Sequence, residues 1–518
     1  MKNLKNKKLL IGLIIVVQTI IFIIVGINKT YIHMDEGYSL GLANFHRVEI
    51  QDEEDFYNKW HSGEYYNDYL AVQEDEVGEF KQVYENQKND VHPPVYYLLL
   101  RIAMGFNIGS YSKWPGIILN IIIFAFITIF MYLISKKILE DDKKALLISF
   151  ISSITMASLT NVIYIRMYAL STLNILITTY LHFKLFDSEK TNIKLLIGIG
   201  GFALIGSLTH YYYLFFLAML FILFVVKYIK EHRFKELIAY FVTMAIAGAS
   251  SLIIFPYSIN HMFFGYRGQG VISKLTDISQ FAKSMGSYLV KVNKYAFNNL
   301  LLLIIGLIAI IIIYKLVRKE KIDVKNKYMK LIILPTLFYF LIVSVASPWI
   351  ELRYIMPICS LIFVIVMYYL IKLLGNIFTE KTANIILYVT ISILLISPIV
   401  FRIEPEVAYT DKKEIVNKLK GEYNIPTLYL FNSGHNRFLD DIYLFSILDN
   451  SYIAKEIEYN EENIKKILED KDLSKGIVLF INEDQDNDFI LEVVKKAINA
   501  NNVEYMKRLN ACDVYYIK

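Results

Sequence analysis

Two cysteines in 518 residues exclude a disulfide framework. Cys359 lies in a hydrophobic stretch and Cys512 in a polar tail, so the sequence gives no reason to pair them. No clustered basic face accompanies the net charge of +5, so the footprint of a nucleic-acid binder is missing. No internal repeat is sustained, which excludes a solenoid. No His, Cys, Asp or Glu spacing is a metal signature. No small-residue cleavage site follows the first apolar run, Leu9 to Ile27. Lys2, Lys5, Lys7 and Lys8 precede that run, which therefore reads as a retained signal anchor.

What the chain has is apolar sequence. It is 55% hydrophobic, with mean hydropathy +0.41. Soluble domains are about 45–50% apolar, so this composition belongs to a polytopic membrane protein. Stretches of about 17–25 apolar residues, enough to span a bilayer, recur along most of its length. Short basic loops fix orientation. They are the N-terminus, Lys136 to Lys144, Lys184 to Lys194, Lys227 to Lys235, Lys315 to Lys330 and Lys372 to Lys381. Placing all six in the cytoplasm predicts about eleven transmembrane helices: 9–27, 114–134, 145–163, 167–186, 195–209, 211–228, 237–257, 297–316, 330–347, 352–372 and 383–401. The N-terminus is then cytoplasmic and the C-terminus extracytoplasmic. The short apolar run 93–108 reads as an interfacial or re-entrant helix on the outer face, with Arg101 snorkelling to water.

Composition divides the chain at about residue 401. Residues 1–401 form the membrane domain, with a large acidic outer loop over 28–113. Residues 402–518 read as a small extracytoplasmic α/β domain. Its strands are expected at Thr427 to Phe431, Gly476 to Ile481 and Asp513 to Ile517, and its helices at Asn463 to Glu469 and Ile490 to Asn499. Lying on the outer side, this domain is expected to recognise a polymeric acceptor.

The chemistry-bearing residues also collect on the outer face. Asp35-Glu36 follows the first apolar helix. An acidic pair beside a membrane is costly unless something uses it, and a carboxylate there can take a proton from an attacking hydroxyl. Asp35 would equally serve as a helix N-cap. Asp90-Val91-His92-Pro93-Pro94 opens the next apolar run, with Tyr96 and Tyr97 behind it; Pro-Pro suits a helix entry. Arg166, in Tyr164-Ile165-Arg166-Met167-Tyr168, sits between two apolar runs on the side where positive charge is disfavoured. Arg353 beside Tyr354 raises the same question. A planar guanidinium fork matches phosphate, which gives both arginines a use. Arg267 and Lys274 lie in the outer loop 258–294 and would add further positive charge. His210 and Tyr211 could line a sugar site. Asp35, Asp90 and His92 form the one mixed oxygen and nitrogen set that a divalent cation could use.

In this order, Asp35-Glu36, then His92-Pro93-Pro94-Val95-Tyr96-Tyr97, then Arg166-Met167-Tyr168, then Arg353-Tyr354 with Pro357, the chain resembles the GT-C superfamily of integral-membrane glycosyltransferases. The bacterial dolichyl-phosphate-mannose-protein mannosyltransferase-like group, family 39, is the most similar. The resemblance covers roughly residues 1 to 400. It implies a multi-pass protein of the bacterial cell membrane. It implies a sugar donor carried on polyprenyl phosphate, an extracytoplasmic protein, glycan or lipid acceptor, and inversion without a nucleotide sugar or a required cofactor. It assigns Asp35 as the base, with Glu36 orienting or sharing the acceptor. Donor phosphate falls to His92, Arg166 and Arg353, and substrate contacts to Asp90, Tyr96, His210, Tyr211 and Tyr354. Some relatives carry a basic residue inside the His-Pro-Pro segment, and this chain does not. The rival readings are a transporter or lipid flippase, a non-catalytic envelope-assembly protein, and a polysaccharide ligase.

Overall fold

The computed structural model describes residues 2–265, 278–421, 423–431, 438–483, 485–510 and 512–518. Arg267 and Lys274 lie outside the described residues. The chain divides into two compact units. The first comprises residues 1–26, 91–96 and 117–406, and the second 27–90, 97–116 and 407–518. The acidic first loop thus belongs with the C-terminal region.

The first unit is helical. Every apolar segment expected to span the membrane falls on a helix, from Lys2–Asn28 to Glu380–Val400. Among the described residues, seven helices are long and apolar enough to cross a bilayer, or nine if each of two bent pairs is one span. Their outward faces carry bare Leu, Ile and Val, such as Leu9, Leu13, Ile246 and Leu302. The protein is therefore a multi-pass membrane protein. The other two expected spans depart for separate reasons. Ile193–Ser207 is short, and Tyr168–Phe186 is long enough but polar. Ser171, Thr172, Asn174, Thr178, Thr179 and His182 of the latter are all buried. Such a helix runs through the interior and does not face lipid.

Both bends have a local cause. Asp142–Ser153 and Met156–Ile163 meet at 56°. There, Ser149, Ser152, Ser153 and Thr155 donate to carbonyls three residues back, and Thr155 also caps the next helix by accepting from the Ser158 N–H. These bonds compete with the helical ladder. Phe281–Ala296 and Leu301–Val317 meet at 96°. The corner holds Asn298 and Asn299 in the left-handed region, which Asn tolerates better than most residues.

The second unit is built on a six-stranded sheet. Its strands are β1 (Trp60–His61), β2 (Thr427–Phe431), β3 (Ser451–Lys455), β4 (Ile477–Asn482), β5 (Val503–Leu509) and β6 (Cys512–Ile517). Their order is β1-β3-β2-β4-β6-β5. The central three are parallel, and β1, β6 and β5 run antiparallel to their neighbours. Every residue of β4, Ile-Val-Leu-Phe-Ile-Asn, is buried, as a strand covered on both faces requires. Helices Glu461–Leu468 and Asn487–Ile498 cover one side, with Ile464, Leu468, Ile490 and Val494 in the core. The first loop contributes β1, whose Trp60 and His61 pair with Tyr452 and Ser451.

Val95–Met104 is a helix of 10 residues, well short of a bilayer. Arg101 does not snorkel to water. It is 4% exposed and donates to the carbonyls of Ala43, Asn44 and Glu76. The reason is local: Asn44 ends helix Met34–Asn44, whose last carbonyls lack helical partners and attract a guanidinium.

Candidate active site

The acidic pair sits at the start of helix Met34–Asn44, in the second unit. His33 is its N-cap. The His33 Nδ1 accepts from the Asp35 N–H at 3.1 Å, while Glu36 Oε2 accepts from the His33 N–H at 2.9 Å, a capping box. The same Glu36 oxygen takes the Lys29 ammonium at 2.8 Å, with neither side chain exposed. Lys29 also donates to the Val407 carbonyl at 2.9 Å. Burial lowers the pKa of Lys29, and Glu36 opposes that shift by charge and hydrogen bond. Glu36 is thus enclosed and holds the helix entry.

Asp35 points elsewhere. Its side chain retains 14% exposure and lies 3.6 Å from His33 Nδ1. That nitrogen also accepts the Asp35 backbone N–H. Tyr38, one turn on, donates to Glu49 at 3.1 Å. Burial raises the Tyr38 hydroxyl above its ordinary value, followed by Glu49, then by the charges of Asp35 and Asp90. Burial likewise raises the Glu49 carboxyl. Asp35, Glu49 and Asp90 therefore act on one tyrosine. Asp90 is the C-cap of helix Lys81–Asn89. Among the described residues, no group of three or more His, Cys, Asp or Glu is arranged to hold a metal ion.

The basic residues form a cluster in the first unit. His210 occupies the turn between Ile193–Ser207 and Tyr213–Lys230 and is 5% exposed. Its ring lies 6.3 Å from that of His92, 5.5 Å from Tyr168 and 5.0 Å from Tyr212. Burial, then the charges of His92 and Arg166, hold its pKa well below the usual histidine range. A His210 held neutral beside the Arg166 guanidinium is the physical consequence. Arg166 is 4% exposed, in the break before Tyr168–Phe186. Tyr168 stacks on Tyr164, whose hydroxyl meets Arg353 at 3.3 Å. Arg353 also meets Glu351 at 2.7 Å and the Tyr354 hydroxyl at 3.3 Å. Four distant stretches of sequence, carrying His92, Arg166, His210 and Arg353-Tyr354, are thus linked through Tyr164, Tyr168 and Tyr212. Tyr96 is fully buried. Tyr211 turns to His261, 2.9 Å from its Nδ1.

Sequence reasoning missed Lys29, Tyr38, Glu49 and Tyr164. A lysine at the foot of the first apolar helix, seven residues before Glu36, was the available signal. Tyr38 lies one helical turn after Asp35 and could be found by spacing. Nothing local marks Glu49 or Tyr164.

The fold is that of a multi-pass helical membrane protein carrying a mixed-sheet region. It is similar to that of ArnT from Cupriavidus metallidurans. The crystal structure of that protein bound to undecaprenyl phosphate matches over 98% of this chain and 97% of its own, at TM-score 0.54 and 8% identity. Its apo structure matches over 97% of each chain, at TM-score 0.46 and 8% identity. No family model matches the chain, and no curated protein does.

Proposed function

We propose that the protein is a glycosyltransferase using a polyprenyl-phosphate-linked sugar and an extracytoplasmic acceptor hydroxyl. The observation that carries this reading is the gathering of His92, Arg166, His210 and Arg353 in one tyrosine-lined cluster. Likeness of fold to ArnT, a protein crystallised with undecaprenyl phosphate, supports the lipid class. Fold alone does not fix function, so the side-chain chemistry must carry the argument.

In this reading the acceptor oxygen attacks the anomeric carbon as the bond to the donor phosphate breaks. Asp35 takes the hydroxyl proton, and the configuration inverts. Phosphate leaves with the bonding electrons, and the charge it gains is met by Arg166, Arg353 and His92. Asp90, Tyr96, His210, Tyr211 and Tyr354 contribute substrate contacts. No metal or cofactor is required. Glu36, enclosed with Lys29, keeps the helix entry fixed so that Asp35 stays presented. The protein sits in the bacterial cell membrane with a cytoplasmic N-terminus. Within GT-C it falls in the family 39 group, resembling the mannosyltransferases.

The test compares envelope sugars and glycoproteins of three strains: wild type, a deletion, and the deletion carrying Asp35→Asn at matched membrane abundance. The expected result is one glycan lost on deletion and not restored by Asp35→Asn, which identifies sugar and acceptor together. Full restoration by Asp35→Asn would reduce the acidic pair to a helix cap and sink the proposal.

A further inference from the structure

The second unit contains a cavity of ≈ 350 Å³. Lys113, Lys413, Tyr111, Tyr443, Ile27 and Trp114 are among its walls. Its charge runs against its surroundings. Residues 27–90 hold fifteen acidic side chains against five basic ones. Yet no carboxylate is among the described residues lining the cavity. Lys29 also contributes to the wall, but Glu36 neutralises it. Lys113 and Lys413 therefore leave the cavity with net positive charge. Lys113 is fixed by donating to the Lys29 carbonyl. Burial, then the charge of Lys29, lower its pKa to about 8, which an anion would reverse.

The walls also say where the cavity lies. Ile27 is at the end of the apolar helix Lys7–Asn28, and Trp114 begins the apolar helix Trp114–Leu139. Both positions mark the boundary between hydrocarbon and water. Tryptophan and lysine concentrate there, and lipid phosphates lie at the same level. Tyr111 and Tyr443, with ring centroids 5.5 Å apart, give the cavity an aromatic wall. A headgroup can rest on such a wall while its phosphate meets the lysines.

We propose that this cavity binds the phosphate ester of a membrane lipid through Lys113 and Lys413. The cavity belongs to the second unit and the arginine–histidine cluster to the first, and occupancy of the cavity does not depend on the catalytic reading.

The test is native mass spectrometry of the full-length protein, titrated separately with phosphatidylglycerol, phosphatidylcholine and a polyprenyl phosphate, with inorganic phosphate as competitor. Wild type is expected to retain one anionic lipid in preference to phosphatidylcholine. Each basic group near a membrane surface contributes about fivefold in affinity, so Lys113→Gln with Lys413→Gln should weaken retention about thirtyfold. Lys113→Arg should restore it, and Lys59→Gln, exposed in the same unit and outside the cavity, should leave it unchanged. Preference for phosphatidylglycerol assigns a phospholipid headgroup; preference for polyprenyl phosphate assigns the carrier lipid. Displacement of either lipid by millimolar inorganic phosphate locates recognition in the phosphate itself. Equal retention by wild type and the double variant overturns the proposal, as does equal weakening by Lys59→Gln. If the double variant fails to fold, the exposed Lys413→Gln alone decides, with the same two outcomes.

Discussion

Lys29 and Glu36 meet at 2.8 Å with no exposed surface on either side chain. Taking both charges from water is costly, and their attraction offsets that cost only while both are present. Glu36→Gln strands the lysine. It is expected to destabilise the second unit by about 3–5 kcal/mol, whereas replacing both residues by apolar ones costs far less. Thermal unfolding of the two variants in detergent checks this; equal losses would show that the pair contributes only its volume. Asp441 makes a different prediction. Burial raises its carboxyl from 3.8 to about 7, with Asp440 adding to the rise. Tyr31 and Asn510 donate to its Oδ1, and Lys412 opposes the rise by charge; Tyr429 also lies in its field. Between about pH 4 and 7 the folded state keeps a proton that the unfolded chain releases, so stability falls as pH rises through this window and levels off above it. Asp441→Asn should flatten that slope in a series of melting curves. An unchanged slope would show that another group titrates. At this scale the sequence displayed the acidic pair, because His33 to Glu36 is a local capping pattern. It could not display the arginine–histidine cluster. His92, Arg166, His210 and Arg353 are separated by tens to hundreds of residues, and only tertiary packing brings them together.

Helix Met34–Asn44 is held by close approach as much as by hydrogen bonds. A Cβ built on Gly41 would collide with the Tyr69 ring, and one on Gly37 would lie 3.0 Å from the Leu439 carbonyl oxygen. Tyr69 is fully buried and its hydroxyl donates to the Val48 carbonyl, so it has little room to retreat. Helix propensity alone would favour alanine by about 1 kcal/mol. Overpacking a fixed ring costs about 1–3 kcal/mol, so the clash wins and Gly41→Ala should lower the melting temperature. Gly12→Ala, with nothing within 4 Å, should not. A stable Gly41→Ala variant would mean that Tyr69 swings away freely. Element by element, legibility followed the strength of the apolar signal. The long apolar helices and the strongly apolar β2, β4 and β6 were readable. β1 has only two residues, too short for any pattern, and β5 mixes Glu, Lys and Arg into Val-Glu-Tyr-Met-Lys-Arg-Leu, which hides its period. Both lie at the sheet's edges, where solvent permits charge.

The second unit is assembled from three separate stretches of chain, so its C-terminal part also supports the stretch that carries Asp35. Thr30 N–H donates to the Ala408 carbonyl, Tyr31 to Asp441, and Met34 N–H to Asp440 at 2.8 Å, next to Asp35. Tyr66 meets Ser451, and β1 pairs with β3. A module added only for recognising a polymeric acceptor would leave Asp35 supported after its removal. Here, truncation after Glu406 removes the Val407 carbonyl from Lys29 and the partners of Thr30, Tyr31 and Met34 together. It also exposes the faces that Tyr66 and Phe56 bury against Phe438. Truncation is therefore expected to make residues 27–90 protease-sensitive and to abolish transfer even to a small hydroxyl acceptor. Limited proteolysis of the truncated protein, with peptides mapped by mass, checks the first outcome, and a short-acceptor assay checks the second. Protection of 27–90 with transfer lost only for the native polymer would restore the acceptor-recognition role to residues 407–518.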